Sequence, residues 1–339
     1  MSTHYRFNKK KFLTRLFILV LIIAAIVLCV NMFNSPKVDT KSSETEATNS
    51  NNNDASSAES NDSKTADDKS SAEIDNSKNT ESASVKEDTN KPKKIDFLAN
   101  LKVPVYKKSE KDIKIPILIY HAFFTPELED DEYNLSCTQD RFDETIKIML
   151  DNGYTFITLE DLYKYNNGEI GLPEKVMIIT MDDGWLGNYT DAFPVLKKYN
   201  VPATIFIVNT LVGTEDYFSW DQAKEMYDSG LVKIHCHGYK HIAYGDVSKD
   251  TLVSDYTKSH QEIEEHLGEK IQKIMAYPAG NSSAESIKWL KEVGFEVQVQ
   301  TKYGTVNKSR NLDLTDLGRI RAEKASANRI LSTINSAGV

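Results

Sequence analysis

From residue 115 onward, short apolar runs alternate with longer amphipathic segments, and this alternation restricts the fold more than any other feature. Residues 115–120, 155–159, 175–180, 203–208, 232–236, 274–277, 295–300 and 317–321 are predicted strands. Between and after them, residues 141–152, 159–166, 191–199, 221–229, 248–268, 283–293 and 327–334 are predicted helices. In the first of these helices Phe142, Ile146, Met149 and Leu150 share one face. Gly230 follows the fourth as a left-handed cap, and Gly294 closes the sixth. Repeated β-then-α units imply a parallel sheet with right-handed crossovers. Seven or eight such units closing on themselves make an α/β barrel, with its reactive groups at the strands' C-terminal ends.

One of those ends stands out. Val176-Met-Ile-Ile-Thr-Met-Asp-Asp-Gly-Trp185 runs from a buried strand into two adjacent carboxylates and a turn glycine. Asp182 and Asp183 repel one another if both are ionised, and a bound cation or a shared proton relieves that. Asp-Asp-Gly is also a common surface turn. The segment 231–241 contains another strand and His235, and places His237 and His241 just beyond that strand. His237 and His241 are four apart, so on a helical turn their imidazoles face one way. Two imidazoles and one carboxylate make a facial set for a divalent metal with positions left open.

Thr180-Met181-Asp182-Asp183-Gly184 with His237-x3-His241 resembles the polysaccharide deacetylases, the NodB-homology domain of carbohydrate esterase family 4. Met181 stands where the family has Phe, and Gly238 where it has Ser or Thr. Ala276-Tyr277-Pro278-Ala279-Gly280 resembles a third family element. Segments 115–121 and 153–158 resemble its opening strands, so the likeness covers residues 113–330. It implies a distorted (β/α)7 barrel. It also implies that Asp183, His237 and His241 hold a divalent metal, with zinc favoured and cobalt, nickel or manganese compatible. Asp182 would be the general base, and the backbone N–H of Ala279 would face the oxyanion. Tyr277, Pro278 and Gly280 would shape that corner, and Trp185 would stack on a sugar ring, though a packing role suits it equally. The reaction implied is removal of N-acetyl groups from N-acetylglucosamine units, releasing acetate.

Two departures matter. Ala276 stands where many members carry an Arg that tunes the base, and no histidine follows His266, so the late Leu-x-His acid is missing. A subgroup acting on exported N-acetylglucosamine polymers shares Ala-Tyr-Pro and ends near Arg-Ile-Arg, as Arg319-Ile320-Arg321 does here. His121, after the first strand, is the candidate for a further active-site histidine; a structural role is the alternative. His260 and His266 fall on a polar helix and are expected to be solvated.

The N-terminal third is organised differently. Lys9, Lys10, Lys11 and Arg15 precede the apolar run 16–30, which continues into Met32 and Phe33. That is roughly 17 apolar residues, close to the lower limit for a membrane-spanning helix. Residues 1–33 therefore read as a cytoplasmic basic tip and a retained signal anchor, which places the remainder outside the cell membrane, in or beyond the cell-wall space. Residues 34–94 lack aromatic side chains and are rich in Ser, Asn, Asp, Glu and Lys, a composition that cannot offset its conformational entropy; they read as a disordered linker. Its reach is on the order of 40–50 Å. Residues 95–339 have the composition of one globular domain.

The formal net charge is −9, and no basic run accompanies exposed aromatics, which argues against nucleic acid as a partner. No obligate protein partner is evident. Of the three cysteines, Cys29, Cys137 and Cys236, only two lie beyond the anchor, so one disulfide is the most the chain can form there. An O-acyl esterase with the same site chemistry and a non-catalytic glycan-binding wall protein are the alternative functions. Peptidoglycan, poly-β-1,6-N-acetylglucosamine and chitin oligomers are the candidate glycans.

Overall fold

The computed structural model describes residues 95–99, 101–125, 131, 134–243, 247–280, 282–303 and 306–337. Both the expected anchor (1–33) and the expected linker (34–94) lie outside them. Among the described residues no helix is long and apolar enough to cross a membrane.

Eight strands form the main sheet: β1 (Ile117–Tyr120), β2 (Thr155–Phe156), β3 (Val176–Asp183), β4 (Ala203–Ile207), β5 (Val232–Cys236), β6 (Ile274–Ala276), β7 (Val297–Val299) and β8 (Ile320–Arg321). They pair in the order β7-β6-β5-β4-β3-β1-β8, and every pairing is parallel. β2 stands off this path and pairs only with Val176 and Met177 at the start of β3. The two ends of the sheet are joined by a parallel bridge from Val299 to Leu317, the residue three places before β8. Backbone bonds from Gln298 to Leu314 and from Gln300 to Leu317 reinforce that seam. The result is a parallel α/β barrel of seven strands with a weak seam and one displaced strand, in line with the expected distorted barrel.

Strand alternation divides the apolar residues into two layers. Ile117, Ile178, Phe206, Ile274, Ala276, Val297, Val299 and Leu317 pack together inside the barrel. Met177, Ile179, Met181, Ile205, Ile207, Ile234 and Met275 face outward and pack beneath the helices. Those helices are α1 (Gln139–Asp151), α2 (Leu159–Asn166), α3 (Phe193–Tyr199), α4 (Trp220–Asp228), α5 (Lys249–Leu267), α6 (Ala284–Glu292) and α7 (Ala327–Ser336). Except at α3, their starts are set by side-chain caps. Thr158 and Asp161 form a reciprocal capping box at α2, and Ser219 with Gln222 forms another at α4. The expected helix 191–199 starts instead with a π-helical turn, Asn188–Ala192, so α3 proper is shorter.

Register brings the reactive ends together. Met181 pairs with Tyr120 of β1, Asp183 with Ile207 of β4, and Ile207 with Cys236 of β5. The residues that follow these strands, among them His121, Gly184 and His237, therefore emerge at one end of the barrel. Cys137 and Cys236 are both buried and are not joined in a disulfide, so the one the sequence permits is not formed. Burial pushes the Cys236 thiol up to about 12, which keeps it protonated and unsuited to binding metal.

Candidate active site

Asp183 closes β3 with a left-handed backbone, φ 73°, and Gly184 continues it at 86°. A non-glycine residue in that region is strained, and such strain persists only where surrounding structure holds it. Here the holding contacts are Val208 N–H to the Asp183 carbonyl and Phe218 N–H to the Gly184 carbonyl. The turn aims the Asp183 carboxylate across the mouth of the barrel. Its Oδ1 lies 3.4 Å from His237 Nε2 and 3.4 Å from His241 Nε2.

The two histidines do not share a helical turn, contrary to the expectation from their spacing. Residues 237–241 are a loop after β5 in which Gly238 (φ 81°) and His241 (φ 51°) are both left-handed. Those two reversals, rather than a 3.6-residue period, bring the rings to a centroid distance of 5.1 Å. Gly238 is needed here because a Cβ would strain its backbone.

This donor set fits a divalent metal. Asp183 Oδ1 is buried and has no hydrogen-bond partner. The three ligand atoms lie within 4.8 Å of one another. An ion about 2.1 Å from each in a tetrahedron sets ligand separations of about 3.4 Å. His237 Nδ1 lies 3.0 Å from the Ala276 carbonyl, a bond that only a protonated Nδ1 can make, so Nε2 presents its lone pair to the site. Burial opposes ionisation of Asp183, but the neighbouring imidazoles of His237 and His241 outweigh it and hold the carboxyl well below its usual value.

Asp182 points into the barrel beside this set and is 1% exposed. Arg319, entirely buried, donates to both of its oxygens at 2.7 Å. The guanidinium is itself anchored by the Gln300 carbonyl at 2.9 Å and by Thr180 Oγ1 at 3.2 Å. Burial alone would raise the Asp182 pKa, yet the Arg319 guanidinium, with His237 beside it, keeps it below the ordinary carboxylate value. Arg319, just before the last strand, thus supplies the arginine partner that the sequence lacks at Ala276.

His121 is 9% exposed, and its Nδ1 lies 2.7 Å from Glu323 Oε1. Glu323 is wholly buried and precedes α7. Burial disfavours the charged imidazole, but Glu323, with Asp182 and Asp183 nearby, raises the His121 pKa above its usual 6.5. With Nδ1 committed to Glu323, Nε2 is the nitrogen that gains or releases a proton. The His121 backbone carbonyl is fixed by Asn188 Nδ2 at 2.8 Å.

The remaining sequence-predicted residues divide. Trp185 is half-buried, stacks on Tyr217 at 4.7 Å and donates its indole N–H to Asp183 Oδ2 at 3.0 Å. Pro278, Ala279 and Gly280 form a 3-10 turn in which Ala279 is left-handed and exposed. A Cβ on Gly280 would fall 1.3 Å from Thr301 Oγ1, so only glycine fits. Tyr277 is a correction: its side chain is fully buried beneath the helices, and its hydroxyl bonds Gln298 at 2.6 Å, out of reach of a substrate. His260, expected on a solvated face, is 4% exposed and lies 3.2 Å from Glu264. His235 faces the barrel interior and lies 2.9 Å from Glu160. Glu323 was not legible as a site residue, and Arg319 was legible only as part of a subgroup motif.

The sequence profile of polysaccharide deacetylases matches residues 170–298. A putative polysaccharide deacetylase, YxkH, of Bacillus subtilis is 30% identical over 214 residues, 63% of this chain and 73% of that protein. The poly-beta-1,6-N-acetyl-D-glucosamine N-deacetylase of Staphylococcus aureus is 30% identical over 224 residues, 62% of this chain and 75% of its own. Among solved structures, the Streptococcus pyogenes deacetylase PplD in complex with acetate superposes with a TM-score of 0.60 at 28% identity, covering 66% of this chain and 99% of that one. IcaB from Ammonifex degensii gives 0.58 at 26% identity, covering 66% and 98%. The barrel, the carboxylate pair and these likenesses agree: the chain belongs to the polysaccharide deacetylase family and is a deacetylating hydrolase.

Proposed function

We propose that the protein is a metal-dependent N-deacetylase of N-acetylglucosamine units in an extracellular or cell-wall polysaccharide, held at the membrane by its N-terminal segment. The observation that carries this is the pairing of Asp182 with Arg319 directly beside Asp183, His237 and His241. Those three residues would hold the ion, zinc by the ligand set. When bound, a divalent ion there polarises an acyl carbonyl and acidifies a water.

The chain's own groups supply the proton transfers. Asp182, kept ionised by Arg319, takes the proton from the attacking water as the new C–O bond forms. The N–H of Ala279, the exposed middle residue of its turn, is the proposed donor to the developing oxyanion. As the C–N bond breaks, His121 gives the proton on Nε2 to the departing amine, while Glu323 holds the ring. Acetate and a free sugar amine result. A groove of about 230 Å³, lined by Phe124, Trp185, Leu186 and Asp216 among others, adjoins the Asp183 turn and would seat a sugar ring against Trp185.

The His121–Glu323 pair favours an amide over an ester as substrate, because an amine must be protonated to leave whereas an alcohol leaves more easily. A non-catalytic glycan binder would have no need of the base, its arginine and the three metal ligands together. The relatives named for poly-beta-1,6-N-acetyl-D-glucosamine support that polymer as the first glycan to test. The test is acetate release by residues 95–339 with zinc, from poly-N-acetylglucosamine oligomers and from peptidoglycan. Chelated enzyme and Asp182→Asn serve as controls. Release abolished in both controls is expected; release that survives Asp182→Asn would remove Asp182 from its role.

A further inference from the structure

Asp183 has two oxygens, and they face different neighbours. Oδ1 faces the two imidazoles and is otherwise unpartnered, whereas Oδ2 accepts the Trp185 indole N–H at 3.0 Å. The indole is held firmly in turn. Trp185 forms an antiparallel backbone bridge with Tyr217, and its ring stacks on the Tyr217 ring at 4.7 Å with 26° between the planes. Phe124 meets the indole edge-on at 6.3 Å. Leu186 N–H bonds the Asp216 carbonyl at 2.8 Å, which ties the next residue to the same strip. The chain therefore spends a bridge, a stack and an edge contact on fixing one N–H, directly after a turn whose backbone is strained at Asp183.

We propose that Trp185 is a positioning residue for the metal centre: its indole N–H holds Asp183 Oδ2 and so leaves Oδ1 alone directed at His237 and His241. Without that bond the carboxylate is free to rotate about its last torsion, which is broad and roughly two-fold. Rotation would offer the site either oxygen, or both, and would lose the separation of 3.4 Å to each imidazole. An indole N–H suits the task because it donates only and does not titrate, so it holds the carboxylate at every pH at which the enzyme works. Trp185 thereby joins the wall of the sugar groove to the ligand set through a single side chain.

This inference rests on the metal reading above, and the experiment separates the two. Metal-free full-length protein and its Trp185→Phe variant are titrated with zinc against a chromophoric chelator. Phe keeps a ring against Tyr217 and removes only the donor. The expected result is zinc binding about 10- to 100-fold weaker in the variant, the usual effect of removing a partner of a metal-ligating group. The metal-free melting curve should be unchanged. In the wild type, saturating zinc should alter tryptophan emission, and that change should be missing in Trp185→Phe, which retains Trp220 and Trp289. Equal zinc affinity in the two proteins would overturn the role of Trp185 and leave the metal reading standing. So would wild-type emission indifferent to bound zinc, a readout that does not depend on the variant folding. A wild type that binds no zinc would overturn the metal reading, and this inference with it.

Discussion

At Asp182 a carboxylate is buried where water cannot screen it, so its partner decides both its charge and its cost. Arg319 donates to both oxygens and is itself completely enclosed. Removing the arginine while leaving the carboxylate strands a buried charge, which costs about 3–5 kcal/mol. Arg319→Met should lower the urea unfolding free energy of residues 95–339 by that amount and should raise the Asp182 pKa by removing the main charge that opposes burial. A loss below about 1 kcal/mol would mean that the pair is not what keeps Asp182 ionised. His121 shows the opposite balance. Burial lowers its pKa, and Glu323 together with Asp182 and Asp183 raises it by more, so the net shift is upward. A proton donor must be protonated, so activity should fall as pH rises through the raised value. Glu323→Gln removes the charge that raises it, and the alkaline limb of the kcat/KM profile should move to lower pH. A limb that stays in place would take the proton-donor role away from His121. The linkage to stability has the same sign: the stabilisation from this pair is complete below the ordinary histidine value and is lost as pH rises through the raised one.

At the scale of elements, the turn after β3 is fixed by what it packs against. Gly187 lies directly under β1's continuation, and a Cβ there would fall 2.1 Å from the Phe123 carbonyl oxygen. That oxygen belongs to backbone and cannot swing aside. Gly187→Ala should therefore shift the segment carrying Asp183 and Trp185, costing about 1–3 kcal/mol in stability. It should also weaken zinc binding, as read by a denaturation curve and a chelator competition; a variant with native zinc affinity would show that the turn is not held from this side. The same elements show what the sequence makes legible. The β-then-α order and the Asp182-Asp183 end of β3 are readable because each is written in a continuous stretch with its own period. The displacement of β2 is not readable, since Thr155 and Phe156 look like any short strand and only pairing reveals that they meet β3 alone. His237 and His241 are readable as a pair, but their geometry comes from two left-handed residues that a helical spacing rule does not anticipate. Arg319 and Glu323 reach residues more than a hundred positions away, across the strand pairing of β8 with β1, so no local pattern announces them. Tyr277 was misplaced because a short motif lists neighbours along the chain, whereas strand alternation sends its side chain outward.

At the scale of the whole chain, the folded domain supplies chemistry and the N-terminal third would supply its address. The apolar run 16–30 with its flank of Lys9, Lys10, Lys11 and Arg15 is the feature that argues for an anchor. On that reading residues 34–94 would act as a tether, for which a coil of that length would allow a reach on the order of 40–50 Å. A substrate embedded in a wall layer would have to be met by a domain that can search, and a tether of that reach would allow this without releasing the enzyme. The full-length chain should therefore remain with carbonate-washed membranes, and protease added from outside should release a fragment that still removes acetate from glycan. Placing a charge at the middle of the run tests the cause, because an arginine at a helix centre costs about 2.5–3.5 kcal/mol of insertion free energy. Ile23→Arg together with Ile26→Arg should move most of the protein out of the membrane fraction, while the deacetylation rate on soluble oligomers stays unchanged. If the unsubstituted chain is itself recovered as a shortened soluble protein, the run is a cleaved signal, and the tether would then hold the domain to nothing.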